Sequence, residues 1–271
     1  MAGEAALERL LRRDRLIAAT GLALLCALAW LHVATGAGLG MSAAAMTSLT
    51  LFPHRLAGMA MAAAPWPWAT WALMLAMWWT MMVAMMAPSA APTILLHARV
   101  HRHAQATGGD ARPAPSGAFA AGYLLVWLGF SVAATLIYWL LERGGLVAAM
   151  SMGSGSRWLS AGLLGAAGLF QLSPLKQNCL AHCRSPASFL ARHWRPGTIG
   201  ALRLGALHGG FCLGCCWLLM ALLFVGGVMN LAWIAALTLF VLAEKTLPGG
   251  RWLGRAAGIA LMLWGVATLL V

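Results

Sequence analysis

The sequence predicts an all-α, polytopic membrane protein: a single integral membrane domain (residues 1–271) of about seven transmembrane helices, with its N-terminus in the cytoplasm. Three observations predict it. Hydrophobic residues make up 62% of the 271 positions and charged residues only 9%, a balance suited to lipid and not to a soluble core. The apolar positions gather into seven stretches, most of them near the ~20 helical residues that cross a bilayer. The 18 Lys and Arg residues divide unevenly between the two sides that seven crossings would create.

The stretches run near 16–35, 66–87, 119–141, 158–175, 200–225, 231–247 and 252–270. The first, from Leu16, is longer than a signal-peptide core, and no small-residue cleavage site follows it, so it reads as a retained span. The second is rich in Trp and Met and meets Pro88 at its end. The third follows a Gly-, Asp- and Pro-containing linker over 107–117. The fourth carries Ala161-Gly-Leu-Leu-Gly-Ala-Ala-Gly168, a small-residue face suited to helix association with this chain or with a partner subunit. The sixth is short from Leu231 to Ala243 and spans only if it continues through Glu244 to Leu247. No second domain and no internal repeat is apparent.

Fifteen basic residues share one side: Arg9, Arg12, Arg13 and Arg15, then Arg99, Arg102 and Arg112, the group from Lys176 to Arg203, and Lys245, Arg251 and Arg255. Only Arg55, Arg143 and Arg157 fall on the other. The positive-inside rule places the 15 in the cytoplasm, and in a bacterium this means the inner membrane. The net charge of +12 therefore calls for anionic lipid headgroups as partners and for no nucleic acid.

The chemistry concentrates in the fifth span, in His208-Gly-Gly-Phe-Cys212-Leu-Gly-Cys215-Cys216-Trp217-Leu-Leu-Met220. At about 100° per residue, His208, Cys212, Cys215 and Cys216 fall in one arc of a helix. Imidazole and thiolate donors on one face suit a soft or borderline ion, Cu(I) first and zinc second. Buried cysteines also serve as small apolar residues, and a lone one such as Cys26 reads as packing. Cys179-Leu-Ala-His182-Cys183 lies between the fourth and fifth spans, in an expected inner loop. One helical turn there would bring Cys179 and Cys183 together, with His182 as a third donor.

Methionine is the second signal. Met74, Met77, Met81 and Met85 recur at helical spacing, with Met82 and Met86 beside them. Thioethers hold Cu(I) and Ag(I), although Met is also an ordinary gap-filler. Met41, Met46, Met59, Met61, Met150 and Met152, with His54, fall on the expected outer side, where exposed thiols would oxidise and thioethers would not. His97, His101 and His103 beside Arg99 and Arg102 read as a solvated basic loop. Glu244 is a carboxylate near the inner end of a span, either balancing a cation or carrying a proton, or else lying at the interface with Lys245 reaching outward.

These residues carry a resemblance. Trp78–Pro88, the run Leu172–Pro186 with its Cys-x-x-x-Cys-Arg-x-Pro pattern, the Cys-Leu-Gly-Cys-Cys-Trp of the fifth span, Met229-Asn230 and Glu244-Lys245 resemble a family of bacterial integral membrane proteins predicted to bind metal. The family's best-known member type is a membrane copper chaperone serving a tyrosinase-type enzyme. The resemblance extends from about Trp66 to Pro248 and implies copper handling, with a copper-enzyme client.

No phosphate-binding G-x-x-x-x-G-K-[ST] loop is present, which argues against ATP-driven pumping. Six acidic residues supply no carboxylate pair for hydrolysis. The expected function is thus non-enzymatic: a Cu(I) chaperone or delivery factor using His208, Cys212, Cys215, Cys216, Cys179, Cys183, His182, Met81, Met85, Met220 and Glu244. The alternatives are a membrane thiol oxidoreductase working through the cysteine pairs and an accessory subunit of a larger membrane complex.

Overall fold

Long apolar runs become long helices here, and Ser, Asn and Pro residues decide where they stop. The structure is a computed structural model that describes residues 19–40, 42–51, 65–106, 116–147 and 152–270. In chain order the helices are α1 (Ala19–Ala34), α2 (Ala43–Leu51), α3 (Trp68–Ala106), α4 (Ser116–Arg143), α5 (Arg157–Leu172), α6 (Pro174–Arg184), α7 (Pro186–His193), α8 (Gly197–Ala221), the single turn α9 (Leu223–Gly226), α10 (Leu231–Thr246) and α11 (Gly250–Leu270). Among the described residues the non-helical pairing is one isolated bridge, Val147 to Ser154.

The Ser-Pro steps make the break after α5. Ser173 caps α6 by accepting a hydrogen bond from the Lys176 N–H, and Pro174 fills its first position, where no N–H is needed. The residue before a proline avoids the helical region, and Ser173 is extended, so α6 leaves α5 at a bend of 65°. Ser185 and Pro186 repeat the device before α7, without a side-chain cap bond. Asn230 caps α10 through the Trp233 N–H.

Contacts give the helix directions. Phe119 meets Gly205 and Val126 meets Gly209, so α4 and α8 run the same way. Tyr123 bonds to Met86 while Trp66 stacks on Tyr138, so α3 runs against α4. Gly168 lies against Gly258, and Ala161 against Gly265, so α5 and α11 are antiparallel. Pro88 cannot donate to the Ala84 carbonyl, and Trp30 of α1 donates to that oxygen instead at 3.1 Å. The core sits between α3, α4, α8 and α10, where Trp78, Trp127, Tyr123 and Met77, Met81, Met82, Met85 and Met86 are fully buried.

Several expectations change. Among the described residues, four helical segments are long and apolar enough to cross a membrane, Trp68–Arg102, Gly117–Arg143, Gly197–Gly226 and Gly250–Leu270, and the bent α5–α6 pair makes a fifth if it counts as one span. Within the described residues α1 covers 16 positions; α10 also has 16, short of the ~20 that a perpendicular crossing takes. The second stretch does not stop near Ala87: α3 carries Pro88 and Pro92 internally and continues to Ala106. His97 and His101 are consequently helical and buried under Trp194, not part of a solvated loop. Lys176 and Lys245 are buried as well and do not reach headgroups. Of the outer methionines, Met46 and Met152 are buried; Met41, Met59, Met61 and Met150, with His54, lie outside the described residues, as do Arg9, Arg12, Arg13, Arg15, Arg55 and Arg112.

Candidate metal centre

α8 supplies the centre of the site. His208, Cys212, Cys215 and Cys216 are all buried on it, on the face the helical spacing predicts. The expected inner loop is instead the helix α6, folded alongside the middle of α8. Gly214 makes room for it, since a Cβ at that position would lie 3.0 Å from the Cys179 Sγ. One turn further along α6, the Cys183 thiol comes within interaction range of Cys212 and Cys215, which stand beside Cys216 on α8. Two groups of cysteines that look separate along the chain thus form one cluster of four thiols, with Cys179 at its edge.

Other expected ligands fall differently. His182 stacks on Phe211 of α8 at 4.0 Å and bonds to the Asn178 carbonyl at 2.9 Å, so its ring is engaged by these partners. Glu244 forms a buried ion pair with Lys176, Nζ to Oε2 2.7 Å, while its Oε1 has no partner. That pairing, and not an interfacial position, explains the carboxylate. Arg184 adds to it by donating to the carbonyls of Glu244, Leu247 and Pro248, closing the last turn of α10. Met81, Met85 and Met220 are buried in the core. A thioether that does meet the thiols is Met86, whose Sδ lies 3.9 Å from Cys216 Sγ.

Three neighbours of the cluster are not in the sequence-derived list. Lys245 points inward, its Nζ 3.0 Å from Cys212 Sγ and 3.0 Å from Ser89 Oγ. A metal-binding thiolate in a dry interior needs a counter-charge, and this ammonium supplies one. Tyr123 Oη lies 3.1 Å from Cys212 Sγ and donates to the Met86 carbonyl at 3.0 Å. It has one proton for two neighbours, so the thiol and thiolate forms of Cys212 call for different proton positions. Each carries a sequence signal: Tyr123 is one of two tyrosines in the chain, Lys245 is an ionisable residue at the end of an apolar helix, and Met86 belongs to the stripe.

Among the described residues no three His, Cys, Asp or Glu side chains already surround a metal-sized point. The thiols of Cys215 and Cys216 instead donate to the Cys212 carbonyl, at 3.1 and 2.9 Å. Each such local bond stabilises by about 0.5–1.5 kcal/mol. Thiolate sites gain about 10–16 kcal/mol from a bound structural Zn(II). Rotating the thiols toward an ion is therefore well within reach. The donor set, thiols with one thioether and the partnerless Nδ1 of His208 a turn away, fits soft-ion chemistry.

Residues 75–268 match the pattern of the PpoB2 copper chaperone family. The chain belongs to that family. The match begins in α3, ends in α11 and includes every thiol of the cluster, Tyr123, Met86 and Lys245. No curated protein matches the chain, and no solved structure does. In a copper chaperone the ion is cargo, held long enough to be carried and released to a partner.

Proposed function

We propose that this protein is a non-enzymatic Cu(I) chaperone of the bacterial inner membrane, which holds the ion at Cys183, Cys212, Cys215 and Cys216 and hands it to a copper enzyme or its membrane partner. The observation that carries the reading is the convergence of α6 and α8: four thiols, a thioether and a lysine ammonium meet in the interior of a chain belonging to a copper chaperone family. Thiolates suit Cu(I), the thioether beside them favours it over Zn(II), and a buried site keeps the ion from water and oxidant.

The whole chain acts as one membrane domain in this reading. The bent α5–α6 pair, α1 and α10 join the four long helices as crossings, with the N-terminus in the cytoplasm. The alternating helix directions and the basic asymmetry support it. A cysteine introduced by Thr107→Cys should react with a membrane-impermeant reagent only after the inner membrane is opened; reaction in intact spheroplasts would reverse the orientation.

Metal content tests the function directly. Purified protein, reduced and loaded anaerobically with Cu(I), should retain about one ion per chain after desalting, with sulfur ligation at the copper K-edge. Retention near zero would end the proposal. Transfer of that copper to a purified apo-cuproenzyme, faster than from free Cu(I) under chelator competition, distinguishes delivery from storage.

A further inference from the structure

Beyond the thiol cluster, the structure holds an imidazole group that the copper site does not use. His97 and His101, one turn apart on α3, stack with ring centroids 6.3 Å apart and planes 7° from parallel. Both are buried, and the Nδ1 of His97 has no hydrogen-bond partner. Trp194 packs on both rings, at 5.3 and 6.5 Å. Phe119 packs on His97 at 5.0 Å and on His208 at 6.0 Å, and the buried Nδ1 of His208 is also partnerless. His208 stands one helical turn from Cys212.

Partnerless imidazole nitrogens in a dry interior are costly, because a buried acceptor or donor left unpaired forfeits its hydration. Two of them, on different helices and flanking the same phenylalanine, need an explanation that aromatic packing alone does not supply: a Phe or Leu would pack there without the penalty. The outermost of these groups is slightly less buried than the rest. His101 is 8% exposed, His97 1% and His208 2%, and Cys212 1%. The sequence of donors runs from the end of α3 that carries Arg99 and Arg102 inward to the thiols.

We propose that His97 and His101 form a two-imidazole station for Cu(I), from which the ion passes by way of His208 to the thiol cluster; this rests on the copper-carrying reading above. Imidazole is a good copper ligand, and a pair at i and i+4 on one helix face can share one ion once the rings turn their nitrogens toward it. Being neutral, the two rings bind the ion more weakly than thiolates do, which gives the transfer its direction. The faces of Trp194 and Phe119 favour a monovalent cation beside them. The movement is a ligand exchange with no change in oxidation state. Cu(I) leaves neutral imidazoles, Cys thiols bind it as thiolates, and each thiol so used releases one proton.

The test uses the full-length chain in mild detergent under anaerobic conditions, with Cu(I) supplied from a chelator and loading followed by thiolate-to-copper charge-transfer absorbance. His97→Phe with His101→Leu should reach the wild-type copper content but load at least about tenfold more slowly, as expected when outer groups that serve a metal site are removed. Loading at the wild-type rate would overturn the proposal. A second protein, with Cys183, Cys212, Cys215 and Cys216 all changed to Ser, leaves the histidines intact and decides the matter even if the first variant fails to fold. Its copper K-edge spectrum should show imidazole ligation that is lost on adding His97→Phe; absence of copper, or ligation by sulfur alone, would overturn the station. Wild-type protein that takes up no Cu(I) would refute the copper reading itself, an outcome separate from either of these.

Discussion

The α5–α11 seam and the α4–α8 seam are both closed by glycine, yet they enclose different things. In the first, Gly168 lies against Gly258 and Met262, and Gly265 against the Ala161 carbonyl, so two backbones touch with little between them. In the second, Gly205 faces the Phe119 carbonyl and Gly209 faces Val126, and the same close approach brings Tyr123 against Cys212 and His208. Small residues let helices pack closely in lipid, where no hydrophobic force drives them together. One seam uses that closeness as a fastening. The other uses it to press a tyrosine and, from the next helices, a lysine and a thioether against thiols. The Lys176–Glu244 pair joins the two, because Glu244 also faces Gly254 of α11.

The largest expected effect separates the seams by chemistry. Cys212→Ser with Cys216→Ser should remove most of the bound copper from protein that still folds, whereas Gly168→Ala should leave copper content per folded chain unchanged. Metal analysis after desalting measures both, and equal copper in wild type and the double variant would move the site away from α8.

Next in size is the ion pair between the seams. Lys176→Met leaves a buried carboxylate without its partner and should destabilise by about 3–5 kcal/mol. Adding Glu244→Leu should restore most of that loss, since replacing both members of a buried pair is often close to neutral. Thermal unfolding in detergent reads the cycle; additive losses would show that the pair is not a unit.

Glycine substitutions follow. Gly205→Ala and Gly168→Ala should each cost about 1–3 kcal/mol from overpacking, offset by up to about 1 kcal/mol of helix propensity. Only Gly205→Ala should also weaken Cu(I), because it pushes α4, and with it Tyr123, away from Cys212. Equal copper affinity in the two variants would reduce the α4–α8 seam to a second fastening.

The smallest effect concerns Met86. Met86→Leu preserves volume and should cost under about 1.5 kcal/mol in stability. Cu(I) and Ag(I) affinity should fall by about tenfold while Zn(II) binding is unchanged, since thioethers contribute to soft ions alone. Met81→Leu with Met85→Leu is the companion. If that pair lowers Cu(I) affinity more than Met86→Leu does, the ligand row lies deeper in α3 than the 3.9 Å contact to Cys216 indicates.

Composition and periodicity by themselves determined the fold class, the long helices and the shared face of His208, Cys212, Cys215 and Cys216, because these depend on local spacing and on the length of apolar runs. The Ser173-Pro174 dipeptide was visible inside the fourth stretch, which the apolar run carried on to Leu175. Its consequence was not, since a proline stops a helix without saying where the next one goes. Only the tertiary structure decided that α6 folds back along α8 and merges Cys183 with the thiols some thirty positions onward. It likewise decided that Lys176 and Lys245 turn inward, Lys176 to Glu244 and Lys245 to Cys212 and Ser89. In the sequence a lysine near a helix end looks the same whether it reaches headgroups or a buried partner. The partner comes from another helix, and which helices meet is set by where glycines permit close contact in three dimensions, a property that the spacing along any one helix does not contain.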